Sequence, residues 1–82
     1  MLSVVIYSKD WCGYCQAAKR LLTQLGYEYR EIDVTHDLAL YEEMKLKANG
    51  RRTVPQIFFD GNGIGGYTEL AALAQNGKLP KT

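Results

Sequence analysis

Cys12 and Cys15 are the two cysteines of this 82-residue chain, with two residues between them. Sulfurs at that spacing can close and open a disulfide within one turn of backbone, provided the first ionises near neutral pH. An apolar run, Val4-Val5-Ile6-Tyr7, precedes them and a helical pattern follows, so Cys12 falls at a helix N-terminus. Unpaired backbone N–H groups and the positive end of the helix macrodipole favour an anion there. Lys9, three residues earlier, adds a cation. A free cysteine of pKa about 8.5 is only a few per cent thiolate at pH 7, whereas helix-terminal and cation-paired cysteines reach roughly 3.5 to 7.5. A drop of about 3 units takes roughly 4 kcal/mol of preferential anion stabilisation, more than a dipole supplies. Direct N–H hydrogen bonds to the sulfur are expected to make up most of the difference. Cys15 lies one turn further in, on the apolar stripe, where burial raises a thiol's pKa. The expected division is that Cys12 attacks a disulfide and Cys15 then attacks Cys12.

Other uses of the pair are weaker. A purely structural Cys12–Cys15 disulfide closes a tiny loop and constrains the unfolded chain little. A zinc site needs about four ligands. The chain offers two cysteines and one histidine, His36, on a separate loop and read as solvated.

The elements that position the cysteines are legible in outline. Leu2 to Tyr7 is a β-branched and aromatic run, read as a strand buried on both faces. Cys15, Ala18, Leu22 and Leu25 form the stripe of an amphipathic helix that Gly26 stops. Tyr27 to Val34 reads as a second strand whose broken alternation predicts a bulge or an edge position near Arg30-Glu31. Asp37 is placed to cap a second helix with Leu40, Tyr41, Met44 and Ala48 inward, ended by Asn49-Gly50. Gln56 to Phe59 is a third strand, Asp60-Gly61-Asn62-Gly63 a turn, and Ile64 with its flanking glycines a fourth strand completing a hairpin. Thr68 is read as the cap of a last helix with Leu70, Leu73 and Ala74 inward, stopped by Gly77. A CxxC directly after the first strand of such a unit signals a thioredoxin-like redox fold.

Composition agrees with one soluble domain over residues 1–82: 46% hydrophobic, 23% charged, net charge +1. That charge gives no reason to expect nucleic acid or a membrane as partner. The apolar start is too short for a secretory signal or a spanning helix, so a cytoplasmic protein is expected, where paired cysteines are more often catalytic or metal-binding than structural.

Three further segments bear on a binding site. Val54-Pro55 precedes a strand; a cis bond there would turn the Val54 backbone groups toward the cysteines and offer an edge to an extended peptide thiol. Arg51 and Arg52 can meet a carboxylate. Gly65-Gly66 leading into Tyr67-Thr68-Glu69 at a helix start gives backbone N–H groups for an anion.

Together, Tyr7-Ser8-Lys9, Cys12-Gly13-Tyr14-Cys15, Thr53-Val54-Pro55 and Ile64-Gly65-Gly66 resemble a glutaredoxin, specifically the short dithiol glutaredoxins of bacteria, essentially from end to end. The resemblance implies an α/β thioredoxin-like fold, a four-stranded mixed sheet of order 2-1-3-4 flanked by three helices. It implies reduction of protein disulfides and glutathione mixed disulfides, with glutathione as co-substrate and no tightly bound cofactor. Glutathione reductase and NADPH would act through glutathione, on behalf of disulfide-containing or glutathionylated protein clients, with the enzyme a monomer. Carried over by position, Cys12 carries glutathione and Cys15 resolves, with Lys9 and Tyr14 as pocket residues beside them. Val54, before a cis Pro55, is the backbone partner of the cysteinyl part; Thr68 and Glu69, after Gly66, take the γ-glutamyl end; Arg51 or Arg52 takes the glycine carboxylate, and Thr53, Pro55, Gly66 and Tyr67 complete the glutathione-binding set.

Two departures matter. Gly13 stands where the family commonly has Pro, and a small residue there is similar to what is seen in members that bridge an iron-sulfur cluster between two subunits. A glutathione-ligated 2Fe–2S scaffold with Cys12 as ligand is therefore one alternative, and a redoxin recharged by thioredoxin reductase is another. Thr68-Glu69 replaces a frequent pair of acids, and Tyr67 stands where some members carry an extra cysteine.

Overall fold

A computed structural model describes residues 2–80. The elements are β1 (Val4–Ser8), α1 (Gly13–Gln24), β2 (Arg30–Asp33), α2 (Leu38–Lys47), β3 (Gln56–Phe59), β4 (Asn62–Gly65) and α3 (Tyr67–Gln75). The sheet runs β2-β1-β3-β4, with β1 parallel to β2 and antiparallel to β3, and β3 antiparallel to β4. This is the expected thioredoxin-like architecture and strand order.

The period of two along the central strands divides the core into two layers. Val4, Ile6, Ile57 and Phe59 pack with Ala18 and Leu22 of α1 and Leu70 of α3. Tyr7 and Phe58 point the other way, onto Met44 and Ala48 beside α2. The two strands adjoining the cysteine segment and Pro55 are thus fixed on both faces, which gives the site a rigid base.

At each helix end a left-handed residue and the residue after it send their amides back to carbonyls of the last turns. After α1, Gly26 (φ 86°) and Tyr27 donate to the Thr23 and Leu22 carbonyls at 3.0 Å each. This arrangement corrects the second strand. The Tyr27 amide is committed to the helix end, so pairing begins only at Arg30, and Tyr27 packs its ring edge-on to Phe59 instead. β2 is an edge strand, as expected, but its ladder with β1 is regular. The register shift lies between β3 and β4, at Ile57/Phe58. Leu25 is also corrected: as the C-cap it is exposed rather than part of the buried stripe. β1 runs on to Ser8 because Ser8 pairs with Asp33 and its carbonyl accepts the Val34 amide. The hairpin turn is the two residues Asp60-Gly61, both with positive φ, so β4 starts earlier than expected, at Asn62.

Asp37 does cap α2, accepting the Leu40 amide at 3.0 Å. Thr68 does not cap α3. The cap is Gly66, whose amide is taken by the Glu69 carboxylate from inside the helix at 2.6 Å.

Ser8, buried at the end of β1, donates to Glu31 of β2 at 2.5 Å, and Lys19 of α1 pairs with the same carboxylate at 2.9 Å. The Ser8 hydrogen bond, ahead of the Lys19 contact, holds the Glu31 carboxyl below its ordinary value against the opposing effect of burial. A depressed folded-state pKa gives stability that is present above the unfolded pKa and lost as pH falls through the folded one. Ser8→Ala should therefore cost about 1 kcal/mol at pH 7, discounted for partial solvent screening of this carboxylate. Its deficit should shrink below the ordinary glutamate range; urea unfolding at pH 7 and pH 3 checks this, and an equal deficit at both counts against the linkage.

Candidate functional site

Cys12 holds extended backbone (φ −113°, ψ 105°) as the N-cap of α1. Its sulfur accepts the Cys15 amide at 3.1 Å, and its carbonyl accepts the Gln16 amide at 3.1 Å. The first turn carries no acidic residue, so no fixed carboxylate competes with a negative sulfur for the helix end. Cys12 is half-buried and Cys15 fully buried, and the two are joined in a disulfide across a Cα separation of 5.2 Å. The pair thus has one cysteine toward the surface and one in the core. The preceding loop is pinned by the Asp10 amide on Thr35 Oγ1 at 2.8 Å.

The Val54–Pro55 bond is cis, and the Val54 carbonyl oxygen lies 3.9 Å from Cys12 Sγ. Gln56, buried in β3, holds this approach from below: its Nε2 donates to the Thr53 carbonyl at 2.8 Å and to Thr53 Oγ1 at 3.2 Å.

Beside these atoms runs a groove of about 240 Å³. Three segments line it: Tyr14 of α1, then Arg51 and Thr53-Val54-Pro55 before β3, then Gly66-Tyr67-Thr68-Glu69 at the start of α3. The structure thus gathers Tyr14, Arg51, Thr53, Val54, Pro55, Gly66, Tyr67, Thr68 and Glu69 along one cleft. Tyr14 and Tyr67 face each other across it with ring centroids 6.1 Å apart. A larger cleft of about 670 Å³ follows Val5, Tyr7, Ile32 and Phe58 and is lined by no residue of the cysteine segment.

Lys9 and Arg52 do not line the groove. The Lys9 ammonium sits over the Tyr41 ring, 4.7 Å from its centroid, and the Arg52 carbonyl accepts the Tyr41 hydroxyl at 3.1 Å. Arg51 is the arginine in the cleft, 3.6 Å from the Glu69 carboxylate. The Gly66 amide, and next the Arg51 charge, hold the Glu69 carboxyl below its ordinary value. Two of these features escaped the sequence reading. Glu69 as a self-cap was detectable from an acid three residues after Gly66. The reach of Tyr41 from α2 to both loops left no local trace, because it is a tertiary contact.

Among the described residues no group of three His, Cys, Asp or Glu side chains could hold a metal, and no helix is long and apolar enough to cross a membrane.

Comparison with known proteins agrees with the geometry. The family model described as glutaredoxin matches residues 4–64. Glutaredoxin 3 of Escherichia coli K12 is 46% identical over 79 residues, covering 96% of this chain and 94% of that protein. The crystal structure of a buckwheat glutaredoxin–glutathione complex superposes with a TM-score of 0.84 at 34% identity, covering 95% of this chain and 73% of that one. The solution structure of glutaredoxin from Brucella melitensis gives 0.82 at 42% identity, over 95% and 84%. With the cysteine pair, the strand order and these relatives in accord, the chain belongs to the glutaredoxin family and is a thiol-disulfide oxidoreductase.

Proposed function

We propose that this oxidoreductase takes its electrons from glutathione and that Cys12 is its nucleophile. The observation that carries the reading is the continuity of the cleft. It joins Tyr14, two residues from Cys12, to the Val54 backbone beside the sulfur and to the Gly66–Glu69 helix start. A thiol tripeptide laid along it puts its cysteinyl part against Val54, where a backbone edge can pair with it. Its γ-glutamyl end meets the start of α3, and Arg51 offers a guanidinium to a ligand carboxylate.

On a glutathionylated protein, the Cys12 thiolate attacks the glutathione sulfur; the mixed disulfide breaks and the client leaves as a thiolate that takes a proton from solvent. A second glutathione thiolate then attacks the glutathione on Cys12, giving glutathione disulfide and restoring Cys12. On a protein disulfide, Cys12 attacks one client sulfur and expels the other. Cys15, once deprotonated, attacks Cys12, which releases the reduced client and forms the Cys12–Cys15 disulfide. Two electrons move from the enzyme pair to the client, and two glutathiones return them. The 3.1 Å amide contact from Cys15 stabilises the attacking thiolate and, in the second step, the same sulfur is the one attacked.

A coupled assay separates glutathione from other electron sources. Turnover with NADPH, glutathione and glutathione reductase should exceed turnover with thioredoxin reductase at least ~10-fold, a gap that binding differences of a few kcal/mol readily produce. Equal turnover, or recharge by thioredoxin reductase alone, overturns the proposal.

A further inference from the structure

We propose that Tyr41 of α2 is a positioning residue for the thiol site, acting through Lys9 and the Arg52 carbonyl. This rests on the glutathione reading above, because the charge of Lys9 is assigned to the carboxylate of a bound glutathione. One side chain spans the two loops that make the site: its ring face holds the ammonium of Lys9, three residues before Cys12, and its hydroxyl holds the carbonyl of Arg52, two residues before Val54. The ring is itself seated, with Val54, against the cluster of Tyr7, Met44, Ala48 and Phe58. A ring face attracts a cation through its quadrupole, so Tyr41 restricts where the long Lys9 side chain can carry its charge. The other nearby ammonium, Lys45, lies 6.0 Å from the ring centroid but is held by Glu42 at 3.0 Å, which leaves the ring to Lys9.

The test is a double-mutant cycle in the full-length enzyme, with a glutathionylated peptide as substrate. Tyr41→Leu should raise KM about five-fold, the weight of a partly exposed cation–π contact, with kcat changed less than about two-fold. Tyr41→Phe keeps the ring and should lose only the smaller share due to the Arg52 tie. In a Lys9→Met background, Tyr41→Leu should do no more than Tyr41→Phe does. Independently of turnover, the Lys9 side-chain methylene protons should be shifted upfield by the ring in wild type and in Tyr41→Phe. Should the Leu variant fail to fold, that shift and the Phe and Lys9→Met variants decide the question. A KM effect of equal size with and without Lys9, or no upfield shift in wild type, overturns the positioning role alone. A wild-type enzyme that ignores glutathione overturns both this role and the function on which it rests.

Discussion

Replacing Cys15 with Ser should divide the two activities: reduction of a glutathionylated peptide survives within a few-fold, while reduction of a protein disulfide falls at least ~100-fold. That loss is well inside the effective molarities of about 10⁵ M and more that a well-oriented intramolecular reactant can supply. The asymmetry follows from where the two sulfurs sit. Cys12, half-buried at the helix cap, can meet an incoming disulfide, whereas Cys15 is sealed in the core and can reach only what Cys12 has already bound. Attack on a glutathione mixed disulfide needs one enzyme thiol, because a second glutathione does the resolving. A protein client held on Cys12 through its own sulfur shields that bond from outside thiols, and Cys15 is the sulfur already in place. Serine is close in size to cysteine, so the core around residue 15 should be kept, and a thermal melt of the reduced variant serves as control. Initial rates on both substrates, measured side by side, check the claim. Equal loss on both would mean that Cys15 takes part in every turnover, and the one-thiol route would have to be given up.

The same sulfurs show why so much of the site could be read before the fold was known. A CxxC between a strand and a helix carries its own local geometry: the first cysteine must cap the helix, and the amide three residues on must point at it. The distance of 3.1 Å between the Cys15 amide and Cys12 Sγ is that rule in atoms. Gly26, Asn49-Gly50 and Gly77 were equally readable as helix stops, since each end needs a left-handed residue and these tolerate it best. What escaped reading depends on partners distant in sequence or on competition for one group. Tyr27 looks like a strand residue, and its side chain does bury. Its amide, however, is claimed by the Leu22 carbonyl, and no propensity of Tyr27 itself reveals that. Thr68 is a better cap by type than Gly66, yet the glycine wins because the chain must pass close to Pro55 there: a Cβ on Gly66 would lie 3.1 Å from the Pro55 carbonyl oxygen. Lys9 is near Cys12 in sequence, and sequence proximity alone suggested that its charge serves the sulfur. The ring that holds it comes from α2, more than thirty residues away.

Gly65 borders the two side chains, Glu69 and Arg51, that line the α3 end of the cleft, and Gly65→Ala should both destabilise the protein and raise KM for a glutathionylated substrate. Its φ of +106° lies where residues with a Cβ rarely go. A Cβ built there would stand 2.6 Å from Glu69 Oε1 and 3.0 Å from an Arg51 guanidinium nitrogen. Those are flexible side-chain ends, so they would move. In moving, Glu69 would leave the Gly66 amide, and Arg51 would leave the mouth of the cleft. The backbone strain has no such escape, because Gly65 is paired with Ile57 in the β3–β4 ladder. A cost of about 2 kcal/mol is expected, lowering Tm by roughly 8 to 16 °C for a domain of this size. KM for a glutathionylated substrate should rise several-fold in the same variant. Gly13→Ala is the matched control: a Cβ there would meet nothing within 4 Å, so its stability should change by no more than about 0.5 kcal/mol. Thermal melts and KM values for the two variants decide between a glycine kept for shape and one that merely ends a strand. If Gly65→Ala melts with the control and keeps the wild-type KM, then neither the backbone angle nor the Glu69–Arg51 arrangement constrains the cleft, and the assignment of its α3 end to ligand recognition loses its physical basis.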